Sequence, residues 1–397
     1  MLPIGRPAGA LLGACAMVAL SIPFPRWGLS PEEAFAAVEP NTIALLLGMM
    51  LLAASLGEAG FFEIAADWLL ARRLSPGSLL YVVVIASGVL SALLVNDSVC
   101  LLLGPLVDQT ARRAGRNRVP YLLGLAMGSN AGSAMTVAGN PQNMLVAHLS
   151  DLSYREYLAK AGLPAAAALV TTGVVIHYLF RTELREPALT VTFGAVAQPS
   201  EGKVRRLGVA IGCTALVSVL FFSGANLAWS ALGAATVMML LWGRDPGHLF
   251  DKVAWTVLLF FGALFIVVAG LQKTGLPGEA LAKVTPWLPV SRAGALATIA
   301  AALIVGCQVV SNVPFILLAE PWLRTLPDPH LAWTSTALFS TLAGNLTLLG
   351  SVANIIVIET TSAQREIGFW RYFKVGVPVT LASSLVGGAL LLVTARW

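Results

Sequence analysis

The residues that could do chemistry in this chain are amides, hydroxyls and one carboxylate, gathered in four short runs. They are Asn96-Asp97-Ser98; Asn130 with Gly139-Asn140-Pro141-Gln142-Asn143; Ser311-Asn312; and Asn345 with Thr347, Gly350-Ser351 and Asn354. A side-chain amide offers a carbonyl oxygen to a cation and N–H groups to an anion. Asp97 is the single acid of the set. A carboxylate inside a membrane is costly unless paired or protonated, so its chemistry would be to carry a proton or to balance a bound cation. Covalent or metal catalysis is not supported. No Ser-His-Asp arrangement can be placed, His148, His177, His248 and His330 lack metal-ligand spacing, and Gly139 belongs to no phosphate-binding loop. Cys15, Cys100, Cys213 and Cys307 all lie in apolar stretches and read as small packing residues.

What must position these groups is a membrane-embedded helical scaffold. Of 397 residues, 57% are hydrophobic and 11% charged, against roughly a quarter charged in a soluble domain, and the mean hydropathy is +0.80. A soluble enzyme, a disordered chain and a nucleic-acid-binding module are excluded, despite a net charge of +5. Spans of about 20 apolar residues fall near 8–24, 41–57, 157–180, 205–223, 226–242, 253–271 and 369–394. The first reads as a spanning helix rather than a signal peptide. Residues 61–73, flanked by Glu58, Glu63 and Asp67, read as an amphipathic stretch in the interface. The four polar runs interrupt four further apolar segments, 77–111, 119–149, 291–324 and 331–363. Broken backbone at membrane depth is tolerated only where it is buried in protein or lines a cavity. Each break also exposes half-helix N-termini that suit anions and C-termini that suit cations.

The breaks repeat. An offset of 216 residues, taking Asn96 to Asn312, also brings Pro105 onto Pro321, and Leu56–Gly60 resembles Leu271–Gly275. Downstream, Asn130, Gly139 and Asn143 pair with Asn345, Gly350 and Asn354, which requires a four-residue insertion between Asn130 and Gly139 in the first half. Topology follows from the basic residues. If segment 77–111 is a hairpin with both ends in the cytoplasm, Arg6, Arg72, Arg73, Arg112, Arg113, Arg116, Arg118, the basic residues of 181–206, Arg244, Lys252, Arg365, Arg371 and Lys374 all lie inside. The second hairpin then opens to the opposite side and the halves are inverted, as in many secondary transporters. The expected organisation is an N-terminal helix and external loop (1–40), a first inverted repeat (41–180), a cytoplasmic linker with scaffold helices (181–252) and a second inverted repeat (253–397).

The runs Val95-Asn96-Asp97-Ser98, Gly139-Asn140-Pro141-Gln142-Asn143, Ser311-Asn312-Val313-Pro314 and Gly344-Asn345 through Gly350-Ser351-Val352-Ala353-Asn354 resemble the ion transporter superfamily. Its members include arsenite permeases, sodium/proton antiporters of the same fold, and divalent-anion/sodium symporters with citrate-transporter-like domains. The resemblance covers about residues 41–394. It implies an inverted-repeat carrier, typically a homodimer, whose two hairpin tips and two interrupted helices meet at one site and whose transport domain moves as an elevator. Dicarboxylate symporters usually carry Ser-Asn-Thr at both tips. Asn96-Asp97-Ser98 and Ser311-Asn312-Val313 depart from that and are closer to the arsenite-permease branch, which leaves sodium dependence open.

The expectation is therefore an all-α polytopic protein of the cell inner membrane, N-terminus cytoplasmic, with two re-entrant hairpins and two interrupted helices. It would move a small inorganic or organic anion or oxyanion, arsenite efflux being one version, with a proton or sodium as coupling ion and no other cofactor. Sodium/proton antiport through Asp97 is the alternative within transport. A channel would need passive conductance. An intramembrane enzyme would need a second carboxylate beside Asp97.

Overall fold

The computed structural model describes residues 5–65, 74–185, 201–284, 291–326 and 328–394. Asp67, Arg72, Arg73 and Arg396 lie outside the described residues, as do most of the amphipathic stretch and the middle of the 181–206 loop. Among the described residues the chain is helical, with no strand. Seven helices are long and apolar enough to cross a membrane: Pro40–Glu58, Pro76–Leu93, Tyr154–Leu179, Gly202–Ser223, Trp255–Lys273, Arg292–Val310 and Phe369–Thr394. Two shorter apolar helices, α1 (Arg6–Ala19) and α10 (Leu227–Leu241), accompany them. Short helices α2 (Pro31–Ala36) and α11 (Gly247–Phe250) precede α3 (Pro40–Glu58) and α12 (Trp255–Lys273).

Each half then runs through the same elements. In the first, α4 (Pro76–Leu93) and α5 (Asn96–Arg113) form a helical hairpin; α6 (Val119–Ser133), a turn at Val137–Gly139 and α7 (Pro141–Ser150) form an interrupted helix; α8 (Tyr154–Leu179) closes the unit. Helix α9 (Glu201–Ser223) lies between the halves. In the second half, a short helix α13 (Leu276–Val284) leads to the hairpin α14 (Arg292–Val310) and α15 (Asn312–Leu323). The interrupted helix is α16 (Pro329–Ala343), a turn at Leu348–Gly350 and α17 (Val352–Thr360), and α18 (Phe369–Thr394) closes the unit.

Local signals repeat with the elements. Ser75 and Ser291 cap α4 and α14, accepting the N–H of Ser78 and Gly294 at the same relative position. Gly60 (φ 86°) and Gly275 (φ 76°) end α3 and α12 in the left-handed conformation that favours glycine. The packing is also exchanged between halves: α10 lies along α3, and α1 along α12.

Polar contacts sort the loops onto two faces. Arg118, which precedes α6, hydrogen-bonds Asp108 at the end of α5 (2.7 Å), the Thr361 carbonyl after α17 (2.8 Å) and Glu366 before α18 (2.6 Å). Asn117 bonds Glu183 beyond α8, and Tyr121 donates to the Pro76 carbonyl at the start of α4 (3.3 Å). On the opposite face Arg324, at the end of α15, donates to the Leu149 carbonyl at the end of α7 (2.9 Å), and Arg292 at the start of α14 pairs with Asp328 before α16 (3.3 Å). The first hairpin thus starts and ends on the Arg118 face and the second on the Arg324 face. The interrupted helices run in opposite directions between them. Helix α3 runs from Glu39, beside His148, toward Glu58, which pairs with Arg244 (2.6 Å), while α12 runs back to Lys273, which pairs with Glu33 (2.7 Å). The halves are inverted.

The first hairpin sits very close to its interrupted helix. Gly124, Gly128 and Gly132 line one side of α6, and a Cβ on Gly132 would stand 2.1 Å from the Gly88 Cα of α4. Small residues at such crossings let backbones touch where no hydrophobic driving force separates lipid from protein. Gly132→Ala should therefore push α4 off α6 and destabilise the protein by about 1–3 kcal/mol, the usual cost of overpacking, measured as a lower unfolding midpoint in detergent.

The Arg118 junction has a predictable acid response. The Arg118 guanidinium bonded to Glu366 holds that carboxyl below the usual carboxylate range. Its contribution is complete above the ordinary Glu value of about 4.3 and is lost only as pH falls through the depressed folded value. Proteolysis in the 361–368 loop should be flat at neutral pH and rise only below about pH 4. In Glu366→Gln it should already be raised at neutral pH.

Candidate functional site

The two interrupted helices are sewn together by one motif used twice. Each carries Thr-x-x-Gly-x-x-x-Asn, at Thr136–Asn143 and Thr347–Asn354. Asn143 Nδ2 donates to the Ser133 and Thr136 carbonyls (2.9 Å each), and Asn354 Nδ2 to the Gly344 and Thr347 carbonyls (2.7 and 3.1 Å). These are carbonyls that the helix break leaves without an intrahelical partner. The glycines supply room: a Cβ on Gly139 would lie 2.1 Å from the Ser133 oxygen, and one on Gly350 2.9 Å from the Gly344 oxygen. Asn140 caps α7, accepting the Asn143 N–H (2.8 Å).

This geometry corrects the sequence alignment of the halves. In the breaks the offset is 211, taking Asn143 to Asn354, so the structural counterpart of Asn130 is Thr341, and that of Asn345 is Ala134. No insertion separates Asn130 from Gly139. The extra residues lie earlier, where α5 continues to Arg113 while α15 stops at Leu323, the counterpart of Val107. Two asparagines in comparable apolar surroundings look equivalent in a sequence. Only the backbone break shows which carbonyls each one serves.

Asn130 is the hub of the network and is fully satisfied. Its Oδ1 accepts from Asn96 Nδ2 (3.1 Å) and the Ser351 hydroxyl (3.0 Å), and its Nδ2 donates to Asn345 Oδ1 (2.9 Å) and Asn354 Oδ1 (3.0 Å). Thr341, its two-fold counterpart, accepts from Asn140 Nδ2 (3.2 Å) and donates to the Ala337 carbonyl one turn back (2.8 Å), with Asn143 Oδ1 3.3 Å from the same hydroxyl. Each hairpin is tied to its own break through a threonine: Thr136 donates to the Ala92 carbonyl (2.5 Å), Thr347 to Gln308 Oε1 (2.7 Å). Hydrogen bonds therefore run from the first hairpin through both breaks to the second.

Of the residues the sequence singles out, Asn96, Asn130, Asn345, Thr347, Ser351 and Asn354 share this network. Asn140 and Asn143 are joined to it through Ser133, whose hydroxyl accepts from Asn140 Nδ2 and donates to the Asn130 carbonyl (2.8 Å each) and whose carbonyl accepts from Asn143 Nδ2. Gly139 and Gly350 are spacers. Asn312 and Asp97 are buried at the first turns of α15 and α5, 7% and 4% exposed, and make no hydrogen bond among the described residues, while Ser98 and Ser311 are half-buried beside them. Gln308, Thr136, Thr341 and the Ser91–Ser129 pair (2.8 Å) were not foreseen. The shared Thr-x-x-Gly spacing could have pointed to Thr136, and Gln308 is a polar residue in an apolar helix. Glu320 pairs with Arg324 (3.0 Å) and Glu359 is exposed, so neither enters the site.

Two features set the hairpin tips apart from the saturated network. The Oδ1 atoms of Asn96 and Asn312 are buried without a hydrogen-bond partner, although a buried polar atom normally has one. Helices α5 and α15 also begin without a side-chain cap, leaving first-turn N–H groups unsatisfied by side chains. The hairpin tips differ in backbone. Ser311 has φ 74° and ψ 163°, a region populated essentially by glycine, whereas Leu94 and Val95 are extended.

An inverted helical repeat whose broken elements meet in a buried amide network is the architecture of a membrane transporter. The chain belongs to the citrate transporter family (CitMHS), which it matches over residues 1–338. It is 28% identical to the silicon efflux transporter LSI3 of Oryza sativa, over 98% of this chain and 93% of that one. It is 24% identical to the putative transporter arsB of Dictyostelium discoideum, over 97% and 87%. Among solved structures it shares the fold of the Alcanivorax borkumensis YdaH transporter, described as having an unusual topology (TM-score 0.59, 17% identity, 97% of each chain). It also shares that of Neisseria gonorrhoeae MtrF, described among antimetabolite efflux pumps (TM-score 0.61, 11% identity, 98% and 95%).

Proposed function

We propose that the chain is an ion-coupled secondary transporter of a small anion or oxyanion, with arsenite-type efflux as one version. The observation that carries this reading is the pair of partnerless, buried Oδ1 atoms at equivalent starts of two inverted hairpins. Carbonyl oxygens there suit a coupling cation, and the uncapped first-turn N–H groups of α5 and α15 suit an anion. Asp97, buried and without a partner, is the proton-coupling residue, or with Asn96 the counterpart of a sodium ion. The hairpins are re-entrant from opposite sides. The Arg118 face, with Arg112, Arg113, Arg116, Arg244 and Lys252, is cytoplasmic, in the inner membrane. The hairpins and breaks move as one body, elevator-fashion, against a homodimer scaffold that includes α9 and α10. The names of relatives that export silicon or are arsB-like favour a small oxyanion or neutral hydroxide as substrate.

The test is counterflow in proteoliposomes with labelled arsenite, silicate, phosphate, sulfate and citrate, with sodium and pH gradients imposed separately. Saturable, gradient-driven uptake of one anion or hydroxide is expected. A second reading, sodium/proton antiport, is favoured by the partnerless Asp97 carboxylate. It predicts sodium-driven alkalinisation with none of the solutes moved, and that outcome would replace the first.

A further inference from the structure

Outside the junction, the inverted repeat builds two apolar clefts, one beside each hairpin. The first is lined by Phe62, Leu79, Val83, Ala86, Leu103 and Val107 and reaches Thr110 and Tyr121; its empty space, counted out to its open side, is about 600 Å³. The second, lined by Leu271, Pro277, Ala280, Phe315, Leu318 and Ala319, has about 650 Å³ counted in the same way and is the roomier, with about 320 Å³ open to a water-sized sphere against about 70 Å³ in the first. The clefts are equivalent by sequence position: Phe62 corresponds to Pro277 and Leu103 to Ala319. The outer edge of the first carries Ile85 and Val89, 38% and 46% exposed, so the cleft opens beside a hydrocarbon-facing surface.

Their mouths differ, and the difference lies in the residues by which the halves are unequal in length. Helix α5 runs past Val107 to Arg113, and this extension and the following loop carry Arg112, Arg113 and Arg116 beside the Thr110 and Tyr121 end of the first cleft. Arg116 lies within electrostatic range of Tyr121. Arg112 is held by Asp108 (2.9 Å), whereas Arg113 is exposed and has no ion pair among the described residues. At the second cleft α15 stops at Leu323, and the nearby charges sum to zero: Glu320 pairs with Arg324 and Glu33 with Lys273, and α13 carries one of each sign, Glu279 and Lys283. An apolar cleft that opens beside lipid and ends one helical turn from the exposed Arg113 guanidinium matches one molecule in both parts.

We infer that the first cleft is a binding site for an anionic phospholipid of the Arg118-side leaflet, its acyl chain lying between α4 and α5 and its phosphate at Arg113. The second cleft takes chains without regard to headgroup. A basic residue near an anionic membrane surface contributes about 1 kcal/mol, which is about a fivefold change in relative binding.

Native mass spectrometry of the purified full chain, equilibrated with equal phosphatidylglycerol and phosphatidylcholine, tests this. The parent should retain phosphatidylglycerol preferentially. Arg113→Gln should lower that preference about fivefold, while Arg26→Gln, on the opposite face, leaves it unchanged. Ala86→Phe, which fills the cleft, should lose most of the retained phosphatidylglycerol while eluting as a single folded species. If Ala86→Phe does not fold, the Arg113→Gln arm still decides. An unchanged lipid ratio in Arg113→Gln, equal losses in the two arginine variants, or full retention by folded Ala86→Phe overturns the inference.

Discussion

Asp97→Asn should leave the protein folded and abolish the response of transport to a proton gradient. Asp97 is buried at the first turn of α5 and has no hydrogen bond or ion pair among the described residues, so the near-isosteric amide removes no contact. It removes the cost of a charge at membrane depth, about 2.5–3.5 kcal/mol on insertion scales, and the unfolding midpoint should hold or rise. On the proposed coupling role, the charge of Asp97 is what the transport cycle uses. One coupled proton is worth about 1.4 kcal/mol per pH unit, so the parent's accumulation ratio in proteoliposomes should shift about tenfold for each unit of imposed gradient. The variant should show no shift, while unlabelled substrate still exchanges with labelled substrate across the membrane. An accumulation ratio that still follows the gradient in Asp97→Asn would assign the coupling to another group.

Asn130→Ala should be the most damaging single change in the core. It leaves three buried partners, Asn96 Nδ2 and the Oδ1 atoms of Asn345 and Asn354, and the half-buried Ser351 hydroxyl without their hydrogen bonds. Hydrogen bonds between membrane helices average about 0.6 kcal/mol, while a buried group left unsatisfied costs about 1–3 kcal/mol. Four together give a loss of about 2–6 kcal/mol allowing for shared relaxation, enough to take a marginal protein to the edge of folding. Asn130→Asp keeps the acceptors for Asn96 and Ser351 but turns the donor to Asn345 and Asn354 into a buried carboxylate oxygen facing their Oδ1 atoms. At neutral pH it should therefore unfold no later than the alanine variant, and recover as falling pH protonates the carboxyl. Equal midpoints for parent and Asn130→Ala would show that the two halves are held together elsewhere.

Much of this organisation is written locally. Hydropathy marks five of the seven long helices to within three residues, because the bilayer requires about 20 apolar positions whatever packs around them, whereas the spans read at 8–24 and 226–242 form helices of only 14 and 15 residues. The serines before α4 and α14 and the glycines after α3 and α12 mark helix ends through contacts only a few residues apart. The inversion is legible because basic residues respond to the face on which they lie. The breaks are legible because asparagine clustered with glycine or proline in an apolar run is costly at membrane depth unless the backbone there is broken and needs its amides.

Which amide serves which partner is not local. Asn130 and Asn345 look like a pair in the sequence, yet Asn130 answers to Thr341 across the two-fold relation and hydrogen-bonds Asn345 directly. Gln308 acquires its role only because Thr347 lies beside it, and Asn96 and Asn312 stand out only because burial leaves their carbonyls without partners. Hydrogen bonds act over about 3 Å, and here they join residues more than 200 positions apart in the chain. The sequence by itself determined a membrane-embedded, inverted helical repeat and where its helices break. The packing of one half against the other decided which buried polar groups are saturated and which, the Oδ1 atoms of Asn96 and Asn312, are left without a partner.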